Sequence, residues 1–157
     1  IANNFPVIGW SRTPKPTLNY RVFSGVEELR QFMGQIKILI NVLPLTPSTE
    51  GIINSTRLYE MKPGGYIINI GRGATMVEKD LSEAIESRHI RGAFLDVFCK
   101  EPLSDNSPLF DNPYVVITPH VAAPTVFEEA VTQVMNNIRL IESGESPKGL
   151  VDIDRGY

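Results

Sequence analysis

The sequence predicts an α/β fold built on a doubly wound parallel sheet, and three observations carry that prediction. Short runs rich in β-branched and aromatic residues alternate with segments of helical periodicity, the pattern of consecutive βαβ units. Most of the strand-like runs are continuously apolar rather than alternating, as in strands covered on both faces. The chain has 157 residues, 42% hydrophobic and 21% charged, enough apolar material for one globular domain with a sizeable core.

Strands are expected at 5–10, 37–42, 65–70, 92–98 and 114–118. A helix is expected at 26–33, where Ser24 or Gly25 can cap. A second is expected at 78–87, with Leu81, Ala84 and Ile85 on one stripe. The longest helical pattern runs over 125–143, with Val126, Ala130, Val134, Ile138 and Ile141 on one face before Gly144 stops it. The tail from Ser146 to Tyr157 carries Pro, Gly and charges without period, and it must dock on something to be ordered. These features divide the chain at residue 123, with the helix and tail of 124–157 set apart from the α/β unit.

Several function classes find no support. Net charge is −3 and no basic run occurs, which argues against nucleic acid and against an anionic membrane as partners. No apolar stretch approaches a membrane span, and no basic-then-apolar opening resembles a signal peptide. Cys99 is the only cysteine, so neither an internal disulfide nor a cysteine-built metal site can form, and a reducing cytoplasmic setting is expected. Cys99 itself reads as a small buried or half-buried residue at a strand end, with a reactive thiol as the alternative. Phosphate-binding Gly-Lys-Ser, Gly-x-Ser-x-Gly and metal-spaced His or Cys motifs are missing. Gly71-Arg72-Gly73 follows a strand, but Met76 stands where a third glycine belongs in a dinucleotide fingerprint. The chain opens on Ile1, and Phe5 to Trp10 reads as a strand entered mid-protein, so a piece of a longer protein is expected.

Five segments occur in a telling order: Asn41-Val-Leu-Pro-Leu-Thr-Pro47, Ile68-Asn-Ile-Gly-Arg-Gly73, Phe94-Leu-Asp-Val-Phe98, Glu101-Pro-Leu103 and Thr118-Pro-His120. In this the chain resembles the D-isomer-specific 2-hydroxyacid dehydrogenases from about Phe5 to its end. Its final residues, Val151 to Tyr157, are similar to the C-terminus of bacterial glyoxylate/hydroxypyruvate reductases of the A type. The resemblance implies a Rossmann-type sheet, here incomplete: the first strand and its Gly-rich turn are not in the sequence. It implies a partial dinucleotide-binding domain over 1–123, with 124–157 packing toward a substrate domain.

Reduction of a 2-keto acid needs a cation for the carboxylate, a proton donor for the developing alkoxide and a hydride source. Arg72, between two glycines after an apolar strand, can reach from the strand's carboxyl end and grip a carboxylate bidentately; a surface arginine in a tight turn is the alternative. His120, after Pro119 at another strand end, suits proton exchange near neutrality, against a capping or core role such as His89 illustrates on an exposed helix. The family resemblance sets Glu101 beside His120, where a carboxylate favours the protonated ring and fixes which nitrogen faces the substrate. Asp96, in an apolar strand, is a buried carboxylate that needs partners. The resemblance gives it a contact with the nicotinamide carboxamide, and a structural cap on nearby backbone competes with that reading.

In dinucleotide folds the end of the second strand reads the ribose, through an acid in NAD enzymes. Here that place is Ser11-Arg12-Thr13-Pro14-Lys15, with no acid before Glu27. Ser11, Arg12 and Lys15 suit a 2′-phosphate, so NADP(H) is preferred over NAD(H), unless the loop is simply solvated. Val42, Leu43 and Pro44 resemble the family loop beside the nicotinamide and ribose, and Ile70, Gly71 and Ala122 complete the cofactor set. The implied activity is hydride transfer from NADPH to glyoxylate or hydroxypyruvate, giving glycolate or glycerate, in a homodimer. A dinucleotide-sensing, corepressor-like binding module is the rival reading. Residues 1 to 157 alone are expected to bind NADPH poorly, because strands 5–10 and 37–42 would each bare an edge meant for the first strand.

Overall fold

The computed structural model describes residues 5–15 and 19–153. In chain order it contains β1 (Gly9–Ser11), β2 (Val22–Ser24), α1 (Gly25–Met33), β3 (Ile38–Asn41), α2 (Ser55–Glu60), β4 (Gly65–Asn69), a 3-10 turn (Gly73–Thr75), α3 (Glu78–Glu86), β5 (Ile90–Leu95), β6 (Val115–Ile117) and α4 (Phe127–Glu142). Strands β3, β4, β5 and β6 form one parallel sheet in that order, and β1 and β2 pair as a second parallel ribbon. The α/β class and parallel sheet are as the sequence predicts. Among the described residues no ladder joins β1 to β3, the two strands expected to flank a missing neighbour. The first predicted strand is also shorter than expected. It begins at Gly9, and Phe5 and Val7 are exposed.

The helices form for identifiable reasons. Ser24 holds the N-cap of α1 without a side-chain bond of its own; its N–H donates to the Glu28 carboxylate at 2.6 Å instead. In α2, Asn54 accepts the Arg57 N–H at 3.3 Å, and the Ser55 N–H donates to Asp80 of α3 at 2.7 Å. That second bond fastens the two helices end to side. Leu81, Ala84 and Ile85 of α3 are buried together, as their spacing predicts.

Leu29, Phe32 and Met33 of α1, Leu58 of α2 and the α3 trio pack with Leu39, Ile67 and Leu95 of the sheet in one continuous core. Full burial of a leucine or isoleucine side chain is worth roughly 1.5–3 kcal/mol. The strands, expected to be buried on both faces, are buried on one. Ile38 and Ile40 are 52% and 57% exposed while Leu39 between them is buried. Tyr66 and Val116 are exposed as well. The continuous apolar runs are present; among the described residues, no element covers their second side.

Helix α4 has the predicted apolar stripe, yet none of its side chains is buried: Val134, Met135, Ile138 and Ile141 face solvent. The tail finds its docking partner on this helix. Asn137 and Lys148 exchange two hydrogen bonds, at 3.0 and 2.9 Å. Residues 154–157, which include the end of the family-like tail, lie outside the described residues. No described helix is long and apolar enough to cross a membrane.

Candidate functional site

Because β3 to β6 run parallel, their carboxyl ends share one edge of the sheet, where ligands of open α/β sheets bind. The expected site residues leave the sheet there: Val42, Leu43 and Pro44 after β3, Ile70 to Arg72 after β4, Asp96 and Glu101 after β5, His120 and Ala122 after β6.

Arg72 stands exposed between two buried glycines. A Cβ on Gly71 would come within 2.9 Å of the Leu43 carbonyl oxygen, and one on Gly73 within 1.9 Å of the Phe98 carbonyl carbon. The turn is therefore wedged between the β3 loop and the start of the β5 loop, and only glycine fits on either side of the arginine. This explains the pair that imitates a dinucleotide fingerprint: the glycines serve close backbone approach. The Arg72 guanidinium donates to the Gly71 carbonyl at 2.8 Å, and its remaining donors face outward from an exposed side chain.

Glu101 and His120 meet as the resemblance implies. Glu101 Oε2 lies 2.8 Å from His120 Nδ1, and Oε1 accepts the Phe98 N–H at 3.0 Å. The bond to His120 chiefly holds the Glu101 carboxyl below the usual carboxylate range, helped by the Phe98 amide and by the charges of His120 and Arg72, against a smaller burial effect. A carboxylate on Nδ1 makes that nitrogen the donor and leaves Nε2 to face the open side. His120 takes a left-handed backbone with φ of 56°, a conformation uncommon outside glycine, in which Asn, Asp and His are the more frequent side chains.

Asp96 is the first residue past β5 and is 1% exposed. Its carboxylate accepts the Val121 and Ala122 N–H groups, each at 2.9 Å, and the Thr118 hydroxyl. Burial by itself would raise its carboxyl, but the bonds from Thr118, Ala122 and Val121 and the charge of His120 outweigh that and hold it low. The buried carboxylate thus has its partners, and they are the turn that carries His120. Of its two readings, the structural cap is the one these contacts support.

The proposed ribose-reading loop follows β1. Ser11 donates to the Thr13 carbonyl at 2.6 Å, and Arg12 and Lys15 are exposed. At the end of β3, Val42 is 66% exposed while Leu43 and Pro44 are half-buried, an apolar ledge beside Arg72.

Other residues of this edge were not legible beforehand. Asn41, Asn69 and Thr75 form a buried polar group beneath the Arg72 turn. Thr49 braces the β3 loop by donating to the Pro44 carbonyl at 2.7 Å and accepting the Thr46 N–H at 2.8 Å. The asparagines closing two apolar strands were the available signal. Two minor expectations need correction. Cys99 is exposed rather than buried or half-buried: it lies on the loop past β5, with its amide on Glu78 at 2.8 Å and its thiol 3.6 Å from the Met76 carbonyl. His89 lies beyond α3, half-buried, where its ring reaches the Met61 carbonyl at 3.1 Å and packs on Tyr59. No cluster of potential metal ligands occurs among the described residues.

Comparison with known proteins gives matches over nearly the whole chain. The family model described as D-isomer specific 2-hydroxyacid dehydrogenase, NAD binding domain, matches residues 2–122. A protein of Photorhabdus laumondii named glyoxylate/hydroxypyruvate reductase A is 48% identical over 153 residues, 98% of this chain and 49% of its own length. A D-isomer specific 2-hydroxyacid dehydrogenase of Xanthobacter autotrophicus Py2, solved with NADPH, superposes with a TM-score of 0.96 at 42% identity, over 99% of this chain and 64% of that one. An NADPH-dependent glyoxylate/hydroxypyruvate reductase of Sinorhizobium meliloti, solved with NADP and sulfate, gives 0.94 at 38% identity, over 99% and 51%. The chain spans about half the length of the curated relative it matches.

Proposed function

Because the chain belongs to the D-isomer specific 2-hydroxyacid dehydrogenases, through their NAD-binding domain, we propose that it is the cofactor-binding half of an NADPH-dependent reductase of glyoxylate and hydroxypyruvate. The observation that carries this reading is the Glu101–His120 hydrogen bond, at 2.8 Å, on the strand-end edge that also presents Arg72. The donor set suits the cofactor: Arg12 and Lys15 offer two cations to a 2′-phosphate, Ser11 can turn its hydroxyl toward it from the Thr13 carbonyl, and Val42, Leu43 and Pro44 offer apolar surface to a nicotinamide. When bound, NADPH supplies the hydride.

Arg72 pairs with the keto acid's carboxylate and draws charge from its carbonyl. His120 Nε2 gives its proton to the carbonyl oxygen as the carbon gains hydride, leaving a 2-hydroxy acid; solvent then restores the ring's proton. Glu101, held on Nδ1, fixes the ring's orientation and keeps Nε2 aimed outward. Asp96 holds the turn on which His120 sits, and a further contact from its carboxylate to the carboxamide would use its remaining acceptor capacity.

We further propose that the free edges of β1 and β3 receive a strand, with its Gly-rich turn, from sequence beyond this chain. Among the described residues β1 and β3 each pair on one side alone, and the chain spans half a relative's length, which together support this. The bare stripe of α4 supports packing of 124–157 toward a substrate domain, and a cytoplasmic homodimer completes the reading. The test is glyoxylate-dependent oxidation of NADPH by the full-length protein. Tight NADPH binding with no turnover on either keto acid would instead favour the dinucleotide-sensing module.

A further inference from the structure

Asn41 and Asn69 are the last residues of β3 and β4 and stand opposite each other in the parallel register. Both are buried, 2% and 0% exposed, on the sheet face that carries Leu39 and Ile67. That face calls for apolar residues, and a buried amide is kept against its desolvation cost where its bonds do something an apolar side chain cannot.

The bonds are directed at the two loops. Asn41 Oδ1 accepts the Leu43 N–H at 3.2 Å and Asn69 Oδ1 accepts the Gly71 N–H at 3.3 Å, the same two-residue reach at neighbouring strand ends. Asn41 Nδ2 links them, donating to Asn69 Oδ1 at 2.8 Å and to the Thr75 hydroxyl at 2.7 Å. Thr75, wholly buried, donates in turn to the Arg72 carbonyl at 2.6 Å. Asn69 Nδ2 is buried without a hydrogen-bond partner, so saturation of the amide does not account for this residue; its oxygen, on the Gly71 amide, is the atom in use.

We propose that Asn41, Asn69 and Thr75 are positioning residues for Arg72: they fix the backbone from which its guanidinium meets the substrate carboxylate, and themselves touch neither substrate nor cofactor. The inference rests on the role proposed above for Arg72. It extends the site inward along a path that starts at the β3 loop, passes through the Asn41 amide and the Thr75 hydroxyl, and ends on the arginine's own carbonyl, with Asn69 branching from it to Gly71.

Thr75→Val in the full-length protein tests it, since valine keeps the shape and removes the hydroxyl. KM for glyoxylate rises about three- to tenfold, the range one internal hydrogen bond is worth, while the dissociation constant for NADPH stays within about twofold. Thr75→Ser restores the parental KM, and Thr75→Ala stands in should valine not be accommodated. In an Arg72→Met background, Thr75→Val changes KM less than about twofold, because the two act through one contact. An unchanged KM in Thr75→Val, or an equal effect in both backgrounds, overturns the inference while Arg72→Met alone still damages turnover. Parental kinetics in Arg72→Met overturn the role of Arg72 and this inference together.

Discussion

His120 donates its backbone N–H to the carbonyl of Asp96 at 2.9 Å, and the carboxylate of the same aspartate accepts from the two residues that follow the histidine. One residue past β5 thus fastens the left-handed turn past β6 from both its main chain and its side chain. Asp96→Asn would leave one acceptor oxygen and set an amide NH2 against a backbone donor. We expect a loss of about 1–3 kcal/mol in urea unfolding, together with slower turnover. The pH dependence has a definite sign. The carboxyl is held low in the folded protein, so its stabilisation is fully present above the ordinary aspartate value of about 3.9 and disappears as pH falls through the depressed one. The parent should therefore lose stability below about pH 4 more steeply than the variant. Parallel acid-unfolding curves for the two proteins would remove Asp96 from this role.

For Glu101→Gln, kcat for keto-acid reduction should fall by about one to two orders of magnitude while the dissociation constant for NADPH holds. An amide can meet Nδ1 with its oxygen or with its NH2, so it no longer fixes which ring nitrogen faces the substrate. Steady-state kinetics with glyoxylate measure this. An unchanged kcat removes Glu101 as the residue that orients His120.

Arg12→Glu should move cofactor preference from NADPH toward NADH, because a carboxylate repels a 2′-phosphate and can accept from a 2′-hydroxyl. The ratio of kcat/KM with the two cofactors is the quantity to follow. Equal losses with both would assign the loop a folding role.

Cys99 is exposed yet should be a poor nucleophile. Partial burial and then the charge and hydrogen bond of Glu78 push its thiol up to about 11. Relative to an ordinary cysteine this leaves about two orders of magnitude less thiolate at mildly alkaline pH. Alkylation should be correspondingly slow, and faster in Glu78→Gln. Rapid labelling of the parent would contradict it.

The parts of this molecule that were legible in advance are those governed by local pattern. Strands β3 to β6 fall within a few residues of their apolar runs, and α1 and α3 follow their stripes. For Arg72 and His120, glycine and proline mark the strand ends that carry them, and the ordered family motifs around them supplied the rest. Strand β2, with three residues, and α2, with Leu58 as its one buried side chain, are too short for periodicity to register. Their places are decided by tertiary contacts such as Asp80 on Ser55. The same reason hid the polar group under Arg72. Asn41 meets Asn69 and Thr75 across separations of 28 and 34 residues, and no window along the chain holds all three.

The fit of Gly71 and Gly73 against Leu43 and Phe98 also bears on how this site can change over time. A methyl group at position 73 would land inside the Phe98 carbonyl, so drift at either glycine must first dislodge a whole loop. The side chain at 72, by contrast, is exposed and bonds to the adjacent Gly71 carbonyl, a contact whose loss leaves the packing of the two glycines in place. New substrate charge preferences are therefore within reach of a single codon at position 72, whereas a new backbone path there would require concerted replacement on three loops. The three positions are thus held by different constraints, the glycines by packing and the arginine by the reaction. Descendants that keep the activity should keep all three, and those that change it can part with the arginine while the glycines stay.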